Sequence, residues 1–207
     1  MITHDEAVGI VADYWNKNVQ KDGDEFQASS VELTEEGDFW LIHGNAKACV
    51  VDGDQMRMAV GISGFIVDSD TGTLEIAGSA QDPSDILQDC RDDKEAAGRH
   101  YVLAGGTGSG ALEEVSALRG LFPIGMTRAR QFLVPPERYW FIGKRRFLKN
   151  YQRELSALGM PTEIILLDQA PDAIEVHWRS RFSWDLPRLT KQTEAEQDAA
   201  EQSATLE

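Results

Sequence analysis

The stretch with most chemical potential is Gly105-Gly106-Thr107-Gly108-Ser109-Gly110. From Gly106 to Ala111 it fits the G-x-G-x-x-A form of a dinucleotide loop, whose glycines let backbone amides approach a pyrophosphate. Its setting suits that chemistry. Tyr101–Ala104 reads as a strand and the residues from Leu112 as a helix, so an anion would meet a helix N-terminus. The rest of the half does not follow through. A dinucleotide domain needs an acid ending a second strand about 20 residues on, and Met126–Pro136 stands there instead. No Gly-Lys-Ser/Thr follows the glycines, so this is not a Walker loop. The loop is therefore read as a flexible connector, with no cofactor.

Other reactive residues give weaker patterns. Arg128, Arg130, Arg138, Lys144, Arg145, Arg146, Lys149 and Arg153 are interleaved with Tyr139, Trp140 and Phe141. Such a mixture can hold phosphates or RNA, or form a solvated helix face. His4, His43, His100 and His177 share no ligand spacing with Cys49 or Cys90, so no metal is expected. Asp52-Gly53-Asp54 and Asp68–Gly72 lack the twelfth-position acid of a calcium loop and read as turns. Trp40, Trp140, Trp178 and Trp184 read as core or interface residues.

These residues must be held by something, and 207 residues with 42% hydrophobic content suffice for one large or two small domains. Two cysteines cannot build a disulfide framework and suit a reducing, cytoplasmic setting. No apolar run is long enough to cross a bilayer, and Met1–Asp5 does not resemble a signal peptide. The formal charge of −15 argues against nucleic acid or an anionic membrane as main partner. That charge is uneven. Residues 1–100 hold 21 acids and 7 bases, net −14; residues 101–191 hold 9 acids and 13 bases, net +4. The tail from 192 to 207 holds 5 acids and no base. The reversal near residue 100 marks a boundary, expected at about 93–99. It separates a domain at 1–95 from one at 99–187, with an acidic tail at 188–207.

Helix signals open the chain. Thr3 and Glu6 form a capping-box pair, and Ala7, Ile10, Val11, Tyr14 and Trp15 recur at helical spacing over about 4–19. Val31–Thr34 and Phe39–Ile42 flank a Glu36-Gly37-Asp38 turn as a hairpin. Ala48–Val51, Val60–Val67 and Thr73–Ala77 are further strand candidates. Asp82-Pro83-Ser84 opens a short helix carrying Ile86, Leu87 and Cys90. In the second half, helices are expected from Leu112 to Gly120, Thr127 to Leu133 and Arg145 to Leu158, with strands at Thr162–Leu167 and Ala173–Arg179. The fold class expected is α+β, each domain packing helices on an antiparallel or mixed sheet.

Two resemblances follow. Phe39-Trp40-Leu41-Ile42 followed by Gly64–Ala80, with its Val67-Asp68, turn, Thr71-Gly72 and strand, resembles the YrhB-like family over residues 1–92. That family contains immunity proteins of bacterial toxin systems and a proposed chaperone. Val115-Ser116-Ala117-Leu118-Arg119-Gly120, Ile124–Arg130 and Leu155–Gly159 resemble the C-terminal domain of the bacterial ribosomal stalk protein over residues 101–167. That likeness implies a docking face on the first two helices, carried here by Leu112, Val115, Arg119, Met126 and Arg130. Ala111, Ser116 and Arg128 depart from its usual pattern, so the fold and face carry over, not the partner.

The expectation is a non-enzymatic immunity protein that binds and neutralises a basic toxin. Asp22, Asp24, Glu25, Glu35, Glu36, Asp38, Asp52 and Asp54, clustered in loops, are its candidate contacts. The alternative is an adaptor or chaperone-like protein that docks a partner through Arg119, Met126 and Arg130.

Overall fold

The computed structural model describes residues 1–19 and 23–177. Helices and strands are mixed in an α+β fold with two four-stranded sheets. The chain divides into two units, 1–91 and 92–207.

The first unit opens with α1 (His4–Asn18). Thr3 and Glu6 close the expected capping box: the Glu6 amide donates to Thr3 Oγ1, and the Thr3 amide to Glu6 Oε2 at 2.7 Å. Then come β1 (Phe26–Leu33) and β2 (Phe39–Ala46), a single helical turn α2 (Lys47–Val50), and a 3-10 turn at Gln55–Arg57. The unit continues with β3 (Ile62–Asp68), β4 (Leu74–Gly78) and α3 (Pro83–Ala96). The strands form an antiparallel meander in sequence order. Strand alternation sorts their side chains. Ile42, Phe65 and Val67 pack with Ala7, Val11 and Trp15 of α1. Phe39, Ile66 and Ala77 point to the other face and meet Ile86 of α3.

Two expectations fail here. Ala48–Val51 is not a strand; its residues lie in or cap the turn α2, with the Val51 amide donating to the Lys47 carbonyl at 2.8 Å. A four-residue apolar run does not fix its own period, and here the end of β2 decides it. The helix opened by Asp82-Pro83-Ser84 is also not short. α3 runs on to Ala96, and its Asp89 and Asp92 are buried. The unit boundary therefore falls at Arg91/Asp92, inside α3.

The second unit contains β5 (His100–Gly105), α4 (Leu112–Leu121), α5 (Met126–Gln131), β6 (Tyr139–Gly143), α6 (Arg145–Ala157), β7 (Thr162–Leu167) and β8 (Ile174–Val176). The sheet order is β7-β5-β6-β8, with β6 and β8 parallel and the other pairs antiparallel. Its core joins Tyr101 and Leu103 of β5 to Leu118, Ala129, Phe141, Leu148 and Leu155. β6 escaped the sequence reading, which placed Tyr139–Phe141 within the basic stretch. Trp140 and Phe141 are core, and Trp140 Nε1 donates to the Phe132 carbonyl at 3.0 Å. Of the alternating pattern expected over Ala173–Arg179, the described part forms a strand at Ile174–Val176. Trp178, Trp184 and the tail lie outside the described residues.

Candidate functional site

The glycine loop is a tied structure rather than a flexible connector. Arg138, buried, donates from Nε to the Gly105 carbonyl at 3.2 Å and from Nη2 to the Gly106 carbonyl at 2.8 Å. The same Nη2 meets the Glu163 carboxylate. Glu114, in the first turn of α4, accepts the Thr107 amide on Oε1 at 2.8 Å, and the Gly106 amide donates to the Pro161 carbonyl at 2.9 Å. Gly106 has φ +60 and Gly108 φ +84. A methyl group at Gly106 would lie 2.7 Å from Glu114 Oε2, and one at Gly108 would collide with the Arg138 guanidinium. The glycines thus admit the close approach of two charged side chains belonging to this chain. Two of the amides that a pyrophosphate would use are already turned to internal acceptors, and one acceptor is a carboxylate. That arrangement opposes a phosphate ligand.

What the tied loop does provide is one wall of a groove. Ser109, Gly110 and Ala111 continue into Leu112 and Val115 of α4, and Met126, Thr127, Arg130, Gln131 and Val134 line the other side. The groove is open and holds about 730 Å3. Leu112 is 71% exposed and Met126 54% exposed, while Val115 is buried as floor. Arg130 is the only charged lining residue. A methyl group at Gly110 would lie 3.1 Å from Arg130 Cγ, so the bare glycine makes room for the arginine stem, and Arg130 as a whole is exposed. Among the described residues, Arg130 forms no ion pair with a carboxylate.

Four of the five residues assigned to the docking face therefore meet: Leu112, Val115, Met126 and Arg130. Arg119 does not join them. It sits in the last turn of α4, and its Nε donates to the Ile124 carbonyl at 3.2 Å, closing the α4–α5 connection.

The wider basic stretch disperses. Arg138 is interior, Arg145 pairs with Asp92 at 3.2 Å and Glu95 at 3.0 Å, and Arg128 lies 4.2 Å over the Phe132 ring.

The acidic candidates of the first unit form two groups, not one. Asp24, Glu25, Asp52 and Asp54 lie at the end of the sheet where Phe26 pairs with Ala46. Glu35, Glu36 and Asp38 lie at the opposite turn, seven residues of β-strand away and so roughly 23 Å distant. Most are answered within the unit. Asp24 meets Arg57 at 3.2 Å, Glu25 meets Lys47 at 3.7 Å, and Arg91 bridges Glu36 at 2.5 Å and Asp38 at 2.9 Å. Arg91, together with the Thr34 hydroxyl, holds the Asp38 carboxyl below its ordinary range. Asp52 and Asp54 are exposed and pair with no cation among the described residues. Asp22 lies outside the described residues.

One surface was missed in the sequence. Between α2 and β3, Val51, Met56, Met58 and Val60 are exposed, Met56 at 94% and Val60 at 81%. Its signal was available: two methionines and two valines within ten residues, punctuated by Asp, Gly and Gln that spoil both strand and helix periods.

Comparison with protein-family models, curated proteins and solved structures finds no match to this chain. Among the described residues, no helix is long and apolar enough to cross a membrane. The function is therefore argued from the groove and the charges alone.

Proposed function

We propose that this is a non-enzymatic binding protein that docks an apolar segment bearing a carboxylate in the groove between α4 and α5. The observation that carries this reading is the union of exposed Leu112 and Met126 with Arg130, which has no carboxylate partner among the described residues. A rigid groove with apolar walls and one cation suits an amphipathic segment whose apolar side chains fill it and whose acid meets the arginine. Loop and helices are tied before binding, so little ordering is lost on association. The test is affinity purification on the immobilised full chain from its native cells, followed by binding measurements on the recovered partner. Met126→Asp and Arg130→Glu should each weaken that partner at least about tenfold without changing the melting temperature. A partner held equally by both variants would sink the reading.

A second reading, neutralisation of a basic toxin by the acidic first unit, is supported by the net −14 of residues 1–100. Opposite charge would speed association and make it salt-sensitive. Co-purification with the product of the neighbouring gene tests it. A stable pair whose association slows in salt is expected, and absence of a pair counts against it.

A further inference from the structure

We infer that the loop from Val51 to Gly61 is a preformed contact surface for a basic, apolar protein segment. The inference deepens the second reading and does not depend on the groove. It begins from a conflict. Four large apolar side chains, Val51, Met56, Met58 and Val60, stand in water within ten residues of chain. Exposed apolar side chains are ordinary when scattered, but a contiguous set on one segment marks an interaction surface.

The loop is not exposed because it is loose. Its start is fixed by α2, where the Asp52 and Asp54 amides donate to the Ala48 carbonyl at 3.2 and 3.0 Å. Its middle is a 3-10 turn capped by Asp54, whose Oδ1 accepts the Met56 amide at 3.0 Å. Its end is clamped by Asn45 of β2, which accepts the Ala59 amide at 2.8 Å and donates to the Ala59 carbonyl at 3.0 Å. Beyond that, Gly61 accepts the Ser79 amide at 3.1 Å. Cys49 and Ala59 turn inward against the core. Much of the backbone is thus hydrogen-bonded, Cys49 and Ala59 are half-buried, and the large apolar residues are the ones left outside. A chain that merely lacked a place for these side chains would not hold them up on so many hydrogen bonds.

Charge selects the partner. Asp52 and Asp54, exposed on the same segment, pair with no cation among the described residues. The two nearby bases are engaged: Arg57 with Asp24 and Lys47 with Glu25. The surface is therefore apolar with a net negative rim. It repels anionic lipid and nucleic acid, and complements a segment with apolar residues on one face and Lys or Arg beside them. Methionine, unbranched and polarizable, suits such a contact because it reshapes itself to its partner.

The test uses the full chain and a fluorescein-labelled amphipathic helical peptide of about 16 residues, leucine on one face and lysine on the other. Anisotropy should show binding, and hydrogen exchange should show protection confined to residues 47–61. Met56→Ser/Met58→Ser/Val60→Ser leaves the charge unchanged and should weaken binding at least about tenfold. Asp52→Asn/Asp54→Asn should flatten the salt dependence. If the triple variant does not melt as wild type does, Met56→Ser alone replaces it. No binding by wild type, equal binding by the apolar variant, or protection elsewhere would overturn the inference. So would stronger partition onto phosphatidylserine vesicles than onto the peptide. Failure here leaves a co-purified toxin possible through another surface, whereas absence of that toxin with peptide binding intact would remove the second reading alone.

Discussion

Arg138 holds Gly106 by its carbonyl oxygen at 2.8 Å, from a side chain that is almost fully buried. The contact explains a glycine loop that looks made for phosphate yet serves as the wall of a groove. Two carbonyls of the loop meet a cation below it, and one of its amides meets the Glu114 carboxylate. Arg138→Met removes three charge-assisted bonds, to the Gly105 and Gly106 carbonyls and to the Glu163 carboxylate. The expected loss is about 2–4 kcal/mol for the second unit. Hydrogen exchange of residues 105–110 in the full chain should accelerate with it. A variant that melts and exchanges as wild type does would show the clamp to be idle.

Gly106 and Glu114 are coupled through the space a side chain would fill. Gly106→Ala places a methyl group 2.7 Å from Glu114 Oε2 and holds alanine at φ +60. The left-handed backbone alone costs about 1–2 kcal/mol. The clash adds to that, because Glu114 is buried and held by the Thr107 amide. Glu114→Ala removes the clash, so the double variant should be less destabilised than the sum of the singles. A double-mutant cycle should give a coupling of about 0.5–2 kcal/mol. Exact additivity would mean that the loop shifts freely and is not tied by these contacts.

Asp38 gives the first unit a dependence on acid. Its carboxyl is held below the ordinary 3.8, chiefly by hydrogen bonds from Arg91. A depressed carboxylate stabilises the folded state fully above its unfolded pKa, and that stability fades as pH falls from about 4 through the folded value. Asp38→Asn should therefore cost about 0.5–1 kcal/mol at neutral pH, a modest figure because the pair is partly solvated. The gap between the variant and wild type should close as pH falls through the depressed folded value. Denaturation curves across that range check it. A gap that is constant with pH would assign the loss to packing instead.

Much of the fold was legible because its signals are local. The Thr3–Glu6 capping box, the apolar stripe ending at Trp15 and the Gly37 turn each act within a few residues. The misses share a physical cause. Lys47–Val50 and Tyr139–Gly143 are short, and their state is set by distant partners: the end of β2 in one case, pairing of Phe141 with Leu103 in the other. The site divides the same way. Leu112, Val115, Met126 and Arg130 lie on two helices joined by a short connection, and they were named together through the likeness to the stalk domain, since spacing along one helix says nothing of its neighbour. The eight acids could be located in loops, but which end of the hairpin each loop occupies follows only from register. The pairing of four of them, Asp24, Glu25, Glu36 and Asp38, with Arg57, Lys47 and Arg91 depends on side chains 22 to 55 residues away. The exposure of Met56 and Val60 left only a composition signal, a broken period around two methionines, because an apolar residue's identity alone does not say that it stays outside.

The C-terminal end of α3 offers a change that should strengthen the protein. Ala97 follows the last helical residue and has φ +52, the only non-glycine residue with positive φ among those described. Its amide donates to the Asp93 carbonyl at 3.2 Å, and Gly98 follows at φ +83. A helix closing in this way calls for glycine at the left-handed position, because a Cβ there crowds the following carbonyl. Ala97→Gly relieves that crowding but adds freedom to the unfolded chain, which returns part of the gain. The net expectation is a stabilisation of about 0.5–1 kcal/mol, opposite in sign to the usual effect of glycine beside a helix. Ala97→Val, with a branched Cβ in the same conformation, should lose more than about 1 kcal/mol. Thermal melting of the two variants beside wild type decides the matter: the order glycine, alanine, valine supports a strained helix end. A valine variant as stable as wild type would show that the helix end relaxes around its Cβ.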